Sequence, residues 1–202
     1  KIPGVGKEIT PREIKKGAVI GAGTMGGGIL MCFADAGIPV LAIESSSEAL
    51  ETGMETISKN YQRMIERGRI TETEKANRIS LISTSLNFND LSDADLIIEA
   101  AFEDLELKKE IFSKLNEIAK SGAILATNTS YMDINQIAAV TQRAEDIIGL
   151  HFFVPANVMK MLEVVRTSSS SPEALATGMQ LAKQFKKVGG VAGVSHGFVA
   201  NR

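Results

Sequence analysis

Six residues, Gly21-Ala22-Gly23-Thr24-Met25-Gly26, do more than any others to limit what this 202-residue chain can fold into. They follow a short apolar run, Gly17-Ala18-Val19-Ile20, and open a stretch of small and apolar residues from Thr24 to Ala36. The run reads as a buried strand, the glycines as a tight turn, and the stretch behind them as a closely packed helix stopped by Gly37. Pro39 to Ile43 reads as a second buried strand and completes a βαβ unit. In G-x-G-x-x-G at this place, the glycines allow the turn, the approach of a pyrophosphate to the backbone, and close packing of the helix. The helix N-terminus adds unpaired N–H groups and a partial positive charge. Glu44 lies 18 residues after Gly26, at the end of the second strand. Its carboxylate can accept from both ribose hydroxyls of an adenosine and would repel a 2′-phosphate. The segment Glu44-Ser45-Ser46-Ser47-Glu48 holds no Arg or Lys to welcome one, so NAD is expected rather than NADP. Gly21, Gly23, Thr24, Met25, Gly26 and Glu44 are therefore the candidate cofactor residues. The plainer alternative is a structural glycine turn in an α/β protein.

The rest of the chain keeps alternating strand with helix. Ser45 to Glu48 has the spacing of a capping box and starts a helix to about Arg67, with Leu50, Met54, Ile57, Tyr61 and Met64 as its apolar seam. Gly68 ends it, and Thr71 to Glu74 repeats the cap and opens a shorter helix, so a helical hairpin follows the second strand. Ile79–Thr84, Asp95–Ala100, Ala123–Ala126, Ile147–Val154, Met161–Arg166 and Val188–Val194 read as strands, the last glycine-rich and at an edge. Leu105–Ala119, Met132–Ala139 and Pro172 to about Lys187 read as helices. The expected fold is α/β: a mostly parallel, doubly wound sheet with helices on both faces and a protruding helical hairpin after the second strand. Residues 1–14, with Pro3, Gly4, Gly6 and Pro11, read as a linker, and 15–202 as one domain.

Composition narrows the class. With 44% hydrophobic and 23% charged residues, intrinsic disorder is excluded. A net charge of -2 leaves no overall basic footprint for nucleic acid. A single cysteine cannot form an internal disulfide, which points to a reducing compartment, and Cys32 among apolar neighbours reads as core rather than nucleophile. No apolar run reaches the roughly 18 residues of a membrane span, and no signal peptide opens the chain. No metal-ligand pattern is present.

Three further groups carry chemistry. His151 lies at the end of a late strand, where ligands bind in parallel sheets. Glu163 is an acid inside an apolar strand 12 residues on. If residues 150–154 and 161–165 pair antiparallel, these two face each other, and the carboxylate would set the imidazole tautomer and raise its basicity. A core histidine and an exposed edge glutamate remain the alternative. Thr127-Asn128-Thr129-Ser130 follows a strand and either donates to a ligand oxygen or simply caps the next helix. Glu99-Ala100-Ala101-Phe102-Glu103 follows another strand, near an expected nicotinamide ribose, although Glu103 also suits a first helical turn. His196 lies in a Gly/Ser-rich stretch and reads as solvated.

Taken together, GAGTMGGGI, DLIIEAAFEDLELKKEIF, ATNTS, GLHFFVPANVMKMLEVVRT and GFVANR resemble the NAD-binding domain of L-3-hydroxyacyl-CoA dehydrogenase, from about residue 15 to Arg202. That domain is a Rossmann-type fold. The lead-in KIPGV is similar to the linker of multifunctional β-oxidation proteins, in which an enoyl-CoA hydratase/isomerase domain precedes this one. The resemblance implies His151 as catalytic base, Glu163 as its acidic partner, Ser130 near the substrate oxygen and nicotinamide, and Asn201 near the thioester. It implies Ala101, Glu103, Lys108, Asn128 and Ser130 around the cofactor. It implies the hairpin as an arm over CoA, with Lys59, Asn60 and Arg67 toward its phosphates. A helical domain carrying the oligomer contacts would begin at Asn201-Arg202. Two positions depart from the family pattern: Val154 replaces the Asn or Ser that usually follows HFF, and His196-Gly197 replaces Pro-Gly. The implied activity is NAD-dependent oxidation of (3S)-3-hydroxyacyl-CoA to 3-oxoacyl-CoA in fatty-acid β-oxidation, in the cytoplasm or, in a eukaryote, the peroxisome. Other readings are a dehydrogenase of small β-hydroxyacids and a non-catalytic NAD-binding module of a larger protein.

Overall fold

A computed structural model describes residues 6, 8–195 and 197–199 of the chain. Its strands are β1 (Gly17–Ile20), β2 (Val40–Ile43), β3 (Ile82–Ser85), β4 (Leu96–Glu99), β5 (Ile124–Thr127), β6 (Ile147–Phe152), β7 (Met161–Arg166) and β8 (Val188–Gly193). Its helices are α1 (Thr24–Asp35), α2 (Ser47–Glu66), α3 (Glu72–Ser80), α4 (Leu105–Ile118), α5 (Ile134–Ala138) and α6 (Pro172–Gln184). All eight strands form one sheet in the order β3-β2-β1-β4-β5-β6-β7-β8. From β3 to β6 the pairings are parallel, β7 runs antiparallel to β6, and β8 runs parallel to β7 at the edge. The doubly wound sheet and the hairpin after β2 are as the sequence implies. The chain reverses its winding between β1 and β4, and such a switch point is where open α/β sheets bind ligands.

Strands β1, β2, β4, β5 and β6 are buried along their whole length. Both faces must then be covered. Val19, Ile98 and Ala126 pack with Ile29 and Phe33 of α1, Ile57 and Tyr61 of α2 and Leu175 and Leu181 of α6. The alternate residues Ala18, Ile97 and Leu125 pack with Phe112 and Leu115 of α4 and Ile134 and Ile137 of α5. Leu50, Ile57 and Tyr61 of the expected seam are buried, while Met54 and Met64 are partly so. Tyr61 donates to Asp35 Oδ1 at 2.9 Å and so pins α2 to the end of α1.

Some boundaries move. The cap of α2 is Ser46, not Ser45: its side chain accepts from the Ala49 amide, and the carboxylate of Glu48 takes no part. At Thr71 both arms of a capping box form, and α3 then runs through Ser80, taking residues 79 and 80 from the expected strand. β6 stops at Phe152, whose amide donates to Asn128 Oδ1 at 2.9 Å instead of to a strand. The helix expected from Met132 starts at Ile134, because Asp133 caps it and the Met132 amide donates to Thr129 Oγ1. The 3-10 turns at Phe88–Asp93 and Ala144–Asp146 carry no clear signal in the sequence.

The lead-in is tied to the domain from Arg12 onward. Its guanidinium meets Asp146 Oδ1 at 2.5 Å and its amide meets Thr177 Oγ1 at 2.9 Å, while Ile14 is buried. The amides of Lys15 and Lys16 both donate to Asp95 Oδ2, at 2.8 and 2.9 Å. Burial raises the Asp95 carboxyl, but the Lys120 ammonium and these two amides outweigh it and hold the group below its ordinary value. Such a group contributes stability above its unfolded pKa, about 3.9, and loses it as pH falls through the lower folded value. Asp95→Asn should therefore melt below the wild type at pH 7, with the gap closing below about pH 3. Thermal melts across pH check this, and a gap independent of pH would refute it. No helix among the described residues is long and apolar enough to cross a membrane.

Candidate active site

The glycine turn has the geometry its sequence implies. Gly21 has φ +97, and a Cβ there would lie 2.8 Å from the Ala100 carbonyl oxygen. A Cβ on Gly26 would lie 1.7 Å from the Gly21 carbonyl oxygen, so only glycine lets α1 pack this closely on the turn. At Gly23 a Cβ would meet nothing within 4 Å, which leaves the backbone open to a ligand. No side chain caps α1, whereas α2 to α6 are capped by Ser46, Thr71, Asp104, Asp133 and Ser171. A cavity of about 620 Å³ opens here, lined by Gly21, Gly23, Thr24, Met25, Glu44 and Ala101 among others. Glu44 sits at its rim, accepting from the Ala22 amide at 2.7 Å and the Ser45 amide at 3.0 Å. Open glycine backbone, an uncapped helix end and a carboxylate at the ribose position fit an NAD pyrophosphate and adenosine. Among the described residues, no group of His, Cys, Asp or Glu is placed to hold a metal.

Along the C-terminal edge of the sheet the other candidates follow in a row. Ile20, Glu99 and Thr127 stand in register on β1, β4 and β5; Gly149 of β6 continues that row, and His151 lies two residues beyond it on the same strand. His151 pairs with Glu163 across the antiparallel β6–β7 ladder, and His151 Nδ1 lies 2.7 Å from Glu163 Oε2. Both side chains are buried. Glu163 Oε1 also accepts from the Val199 amide at 3.1 Å. The Phe153 and Phe198 rings lie 4.5 and 5.5 Å from the imidazole. These aromatic walls, and the cover from the 197–199 turn, were beyond what spacing alone could reveal.

Asn128 and Ser130 sit just past β5. Ser130 donates its amide to Glu103 Oε1 at 2.9 Å, and Thr129 donates its hydroxyl to the same oxygen. The bland helix-cap reading of this cluster is replaced, because Asp133 does the capping. Lys108 is fully buried: its ammonium lies 2.7 Å from Glu99 Oε1 and 3.2 Å from Glu103 Oε2. Glu99, wholly buried, opens the segment that the sequence sets near the nicotinamide ribose, yet the sequence assigns it no role of its own; an acid closing an apolar strand is the signal for one. Val154 is exposed. Cys32 is core, its thiol pushed up to about 12 by burial, so it stays protonated at neutral pH. Asn201 and His196 lie outside the described residues.

The hairpin lies beside the glycine turn. A second cavity of about 730 Å³ runs between Gly23, Thr24 and α2, and is lined by Asn60 and, from the loop after β6, by Pro155 and Asn157. It continues into a third of about 440 Å³ that shares Asn60, Pro155 and Asn157 and adds Arg63, Arg67, Arg69 and Lys160. Asn60 and Arg67 are thus brought together on one groove. Lys59 lies outside both linings, exposed and paired with Glu55 at 2.8 Å.

Comparison with known proteins identifies the family of the chain. The family model "3-hydroxyacyl-CoA dehydrogenase, NAD binding domain" matches residues 16–193. A peroxisomal bifunctional enzyme of Danio rerio is 45% identical over 192 residues, covering 95% of this chain and 26% of the relative. A 3-hydroxybutyryl-CoA dehydrogenase of Clostridioides difficile is 40% identical over 185 residues, covering 92% of this chain and 66% of the relative. The crystal structure of (S)-3-hydroxybutyryl-CoA dehydrogenase from Ralstonia eutropha superposes with a TM-score of 0.92 at 37% identity, covering 94% of this chain and 67% of that one. The chain spans about a quarter of the length of the bifunctional relatives it matches. With the family model matching residues 16–193, the chain belongs to the 3-hydroxyacyl-CoA dehydrogenase family, as its NAD-binding domain.

Proposed function

We propose that this domain serves an enzyme that oxidises (3S)-3-hydroxyacyl-CoA to 3-oxoacyl-CoA with NAD, in fatty-acid β-oxidation. The observation that carries the reading is the buried 2.7 Å pair between His151 Nδ1 and Glu163 Oε2 on the edge that also carries the glycine turn. A carboxylate accepting from Nδ1–H leaves the lone pair on Nε2, which makes Nε2 the base for the proton of the 3-hydroxyl. Glu163 then stabilises the imidazolium that forms. NAD, when bound, supplies the hydride acceptor. Ser130 is the donor toward the substrate oxygen, with its amide held by Glu103. Asn128, whose side-chain oxygen accepts from the Phe152 amide, ties the turn after β5 to the strand residue next to His151. The role of Asn201 at the thioester rests on the family resemblance alone.

The groove along the hairpin supports an acyl-CoA rather than a small free acid. It is long, and its far end gathers Arg63, Arg67, Arg69 and Lys160 where phosphates would lie. A relative of Oryza sativa named as a peroxisomal fatty acid beta-oxidation multifunctional protein supports the β-oxidation assignment, and together with the peroxisomal bifunctional enzymes it supports a peroxisomal site in a eukaryote. Oligomer contacts belong, on this reading, to a following helical domain.

The test is NADH formation by the full-length protein from (3S)-3-hydroxybutyryl-CoA beside free 3-hydroxybutyrate. Turnover of the CoA ester alone is expected. Equal use of the free acid would favour a small-acid dehydrogenase, and NADH binding without turnover a non-catalytic module. Glu44 gives a second check: the wild type should prefer NADH to NADPH clearly, and Glu44→Ala should narrow that preference in calorimetric titrations. Equal affinity of the wild type for both would overturn the role of Glu44.

A further inference from the structure

One acid at the centre of the sheet edge has no role in the reaction just described. Glu99 closes β4, and its side chain has no solvent exposure. Its Oε1 accepts from Lys108 Nζ at 2.7 Å and from the Ala101 amide at 2.7 Å, and its Oε2 accepts from the Thr127 hydroxyl at 2.7 Å. The Lys108 ammonium reaches on to Glu103 Oε2, and the other Glu103 oxygen holds the Thr129 hydroxyl and the Ser130 amide. A continuous chain of charge-assisted contacts therefore runs from the floor of the switch point to the turn that presents Ser130. Thr127 joins the same frame from β5, since its hydroxyl also accepts from the Thr129 amide at 3.3 Å.

A buried ion pair is a poor device for stability alone. Desolvation offsets much of its attraction, and apolar residues of the same volume often do as well. What apolar residues cannot do is hold an ammonium and a carboxylate at set positions beneath a ligand site.

We infer that Glu99 is a positioning residue: through Lys108 and Glu103 it sets the place of Ser130, and through the Ala101 amide it sets one wall of the cavity at the glycine turn. It touches neither substrate nor cofactor. The inference rests on the proposed dehydrogenase reading for its kinetic consequence, but not for its structural one.

The test uses Glu99→Gln in the full-length protein. This substitution keeps size and shape and removes the charge that holds Lys108. The expected kinetic result is a kcat lower by about 10- to 100-fold, the scale of a small misplacement of reacting groups. KM for the acyl-CoA should stay within about twofold, because the hairpin groove does not touch this frame. Glu99→Asp should recover less than full activity, since the shorter arm cannot reach both Lys108 and Thr127. Hydrogen exchange gives a readout that does not depend on turnover: the Thr129 and Ser130 amides should exchange about tenfold faster in Glu99→Gln than in the wild type under the usual local-opening regime.

A merely structural role would lower the melting temperature while leaving kcat per folded molecule and those two amides unchanged, and that result would overturn the inference. If Glu99→Gln does not fold, Thr127→Val removes the Oε2 contact together with the acceptor of the Thr129 amide, so the readout is then Ser130 alone, whose amide is held by Glu103 and should still exchange faster. Unchanged exchange there would equally refute it. If the wild type turns over no acyl-CoA, the functional reading falls, while the exchange result still decides the role of Glu99.

Discussion

His151→Gln should lower turnover of the full-length protein by about 10²- to 10⁴-fold while leaving its NADH affinity within about twofold. Glutamine can still donate to Glu163 Oε2 from the space the imidazole fills, but it cannot take up a proton. The loss corresponds to roughly 2.7 to 5.5 kcal/mol of transition-state stabilisation. The cofactor contacts inferred from the glycine turn and Glu44 lie on β1, α1 and β2, away from β6, so binding should be spared. Steady-state kinetics paired with a fluorescence titration of NADH separates the two quantities. Normal turnover would place the base elsewhere, and weakened NADH binding would mean that the substitution disturbs more than the base. Glu163→Gln should also be slow, because the imidazolium formed in the reaction loses its counter-charge inside a buried site.

Lys108→Met should destabilise the protein by about 3 to 5 kcal/mol, since it strips the cation from a carboxylate with no access to water. Glu99 would keep only the Thr127 hydroxyl and the Ala101 amide. The matched control is Lys59→Met. Lys59 also pairs with a glutamate, at 2.8 Å, but on an exposed helix face where water screens both groups, so no measurable change is expected. Denaturant unfolding of the three proteins in one buffer checks the contrast. Equal stability of Lys108→Met and the wild type would show that Glu99 is held without its lysine and would weaken the positioning argument with it.

Much of this domain is legible in its sequence because the signals are local. The glycine turn demands a positive φ at Gly21 and a Cβ-free contact at Gly26, and no other residue type meets both needs. The capping box at Thr71, and Ser171 followed by Pro172, announce helix starts within a few residues of themselves. The apolar runs of β4 and β5 state that both faces of the sheet are covered. The His151–Glu163 pair was also within reach, since only 12 residues separate them and one antiparallel register brings them opposite. What misled was local as well. Ser45 has the spacing of a cap, yet Ser46 takes the role, because a one-residue shift in the first turn decides which hydroxyl meets a free amide.

The sequence by itself determined the doubly wound sheet, the glycine turn, the hairpin and the His151–Glu163 pair, for each follows from periodicity or from spacing along a single stretch of chain. Only the tertiary structure decided that Lys108 is buried, what Glu99 holds, that Asn60 and Arg67 share a groove while Lys59 faces solvent, and that Phe198 closes on His151. Those facts depend on strand register and on how helices set down on the sheet. Thr127 is 28 residues from Glu99, and Val199 is 36 from Glu163. Partners that far apart in the chain are chosen by packing, which fills one volume from several elements at once and leaves no periodic trace in any one of them.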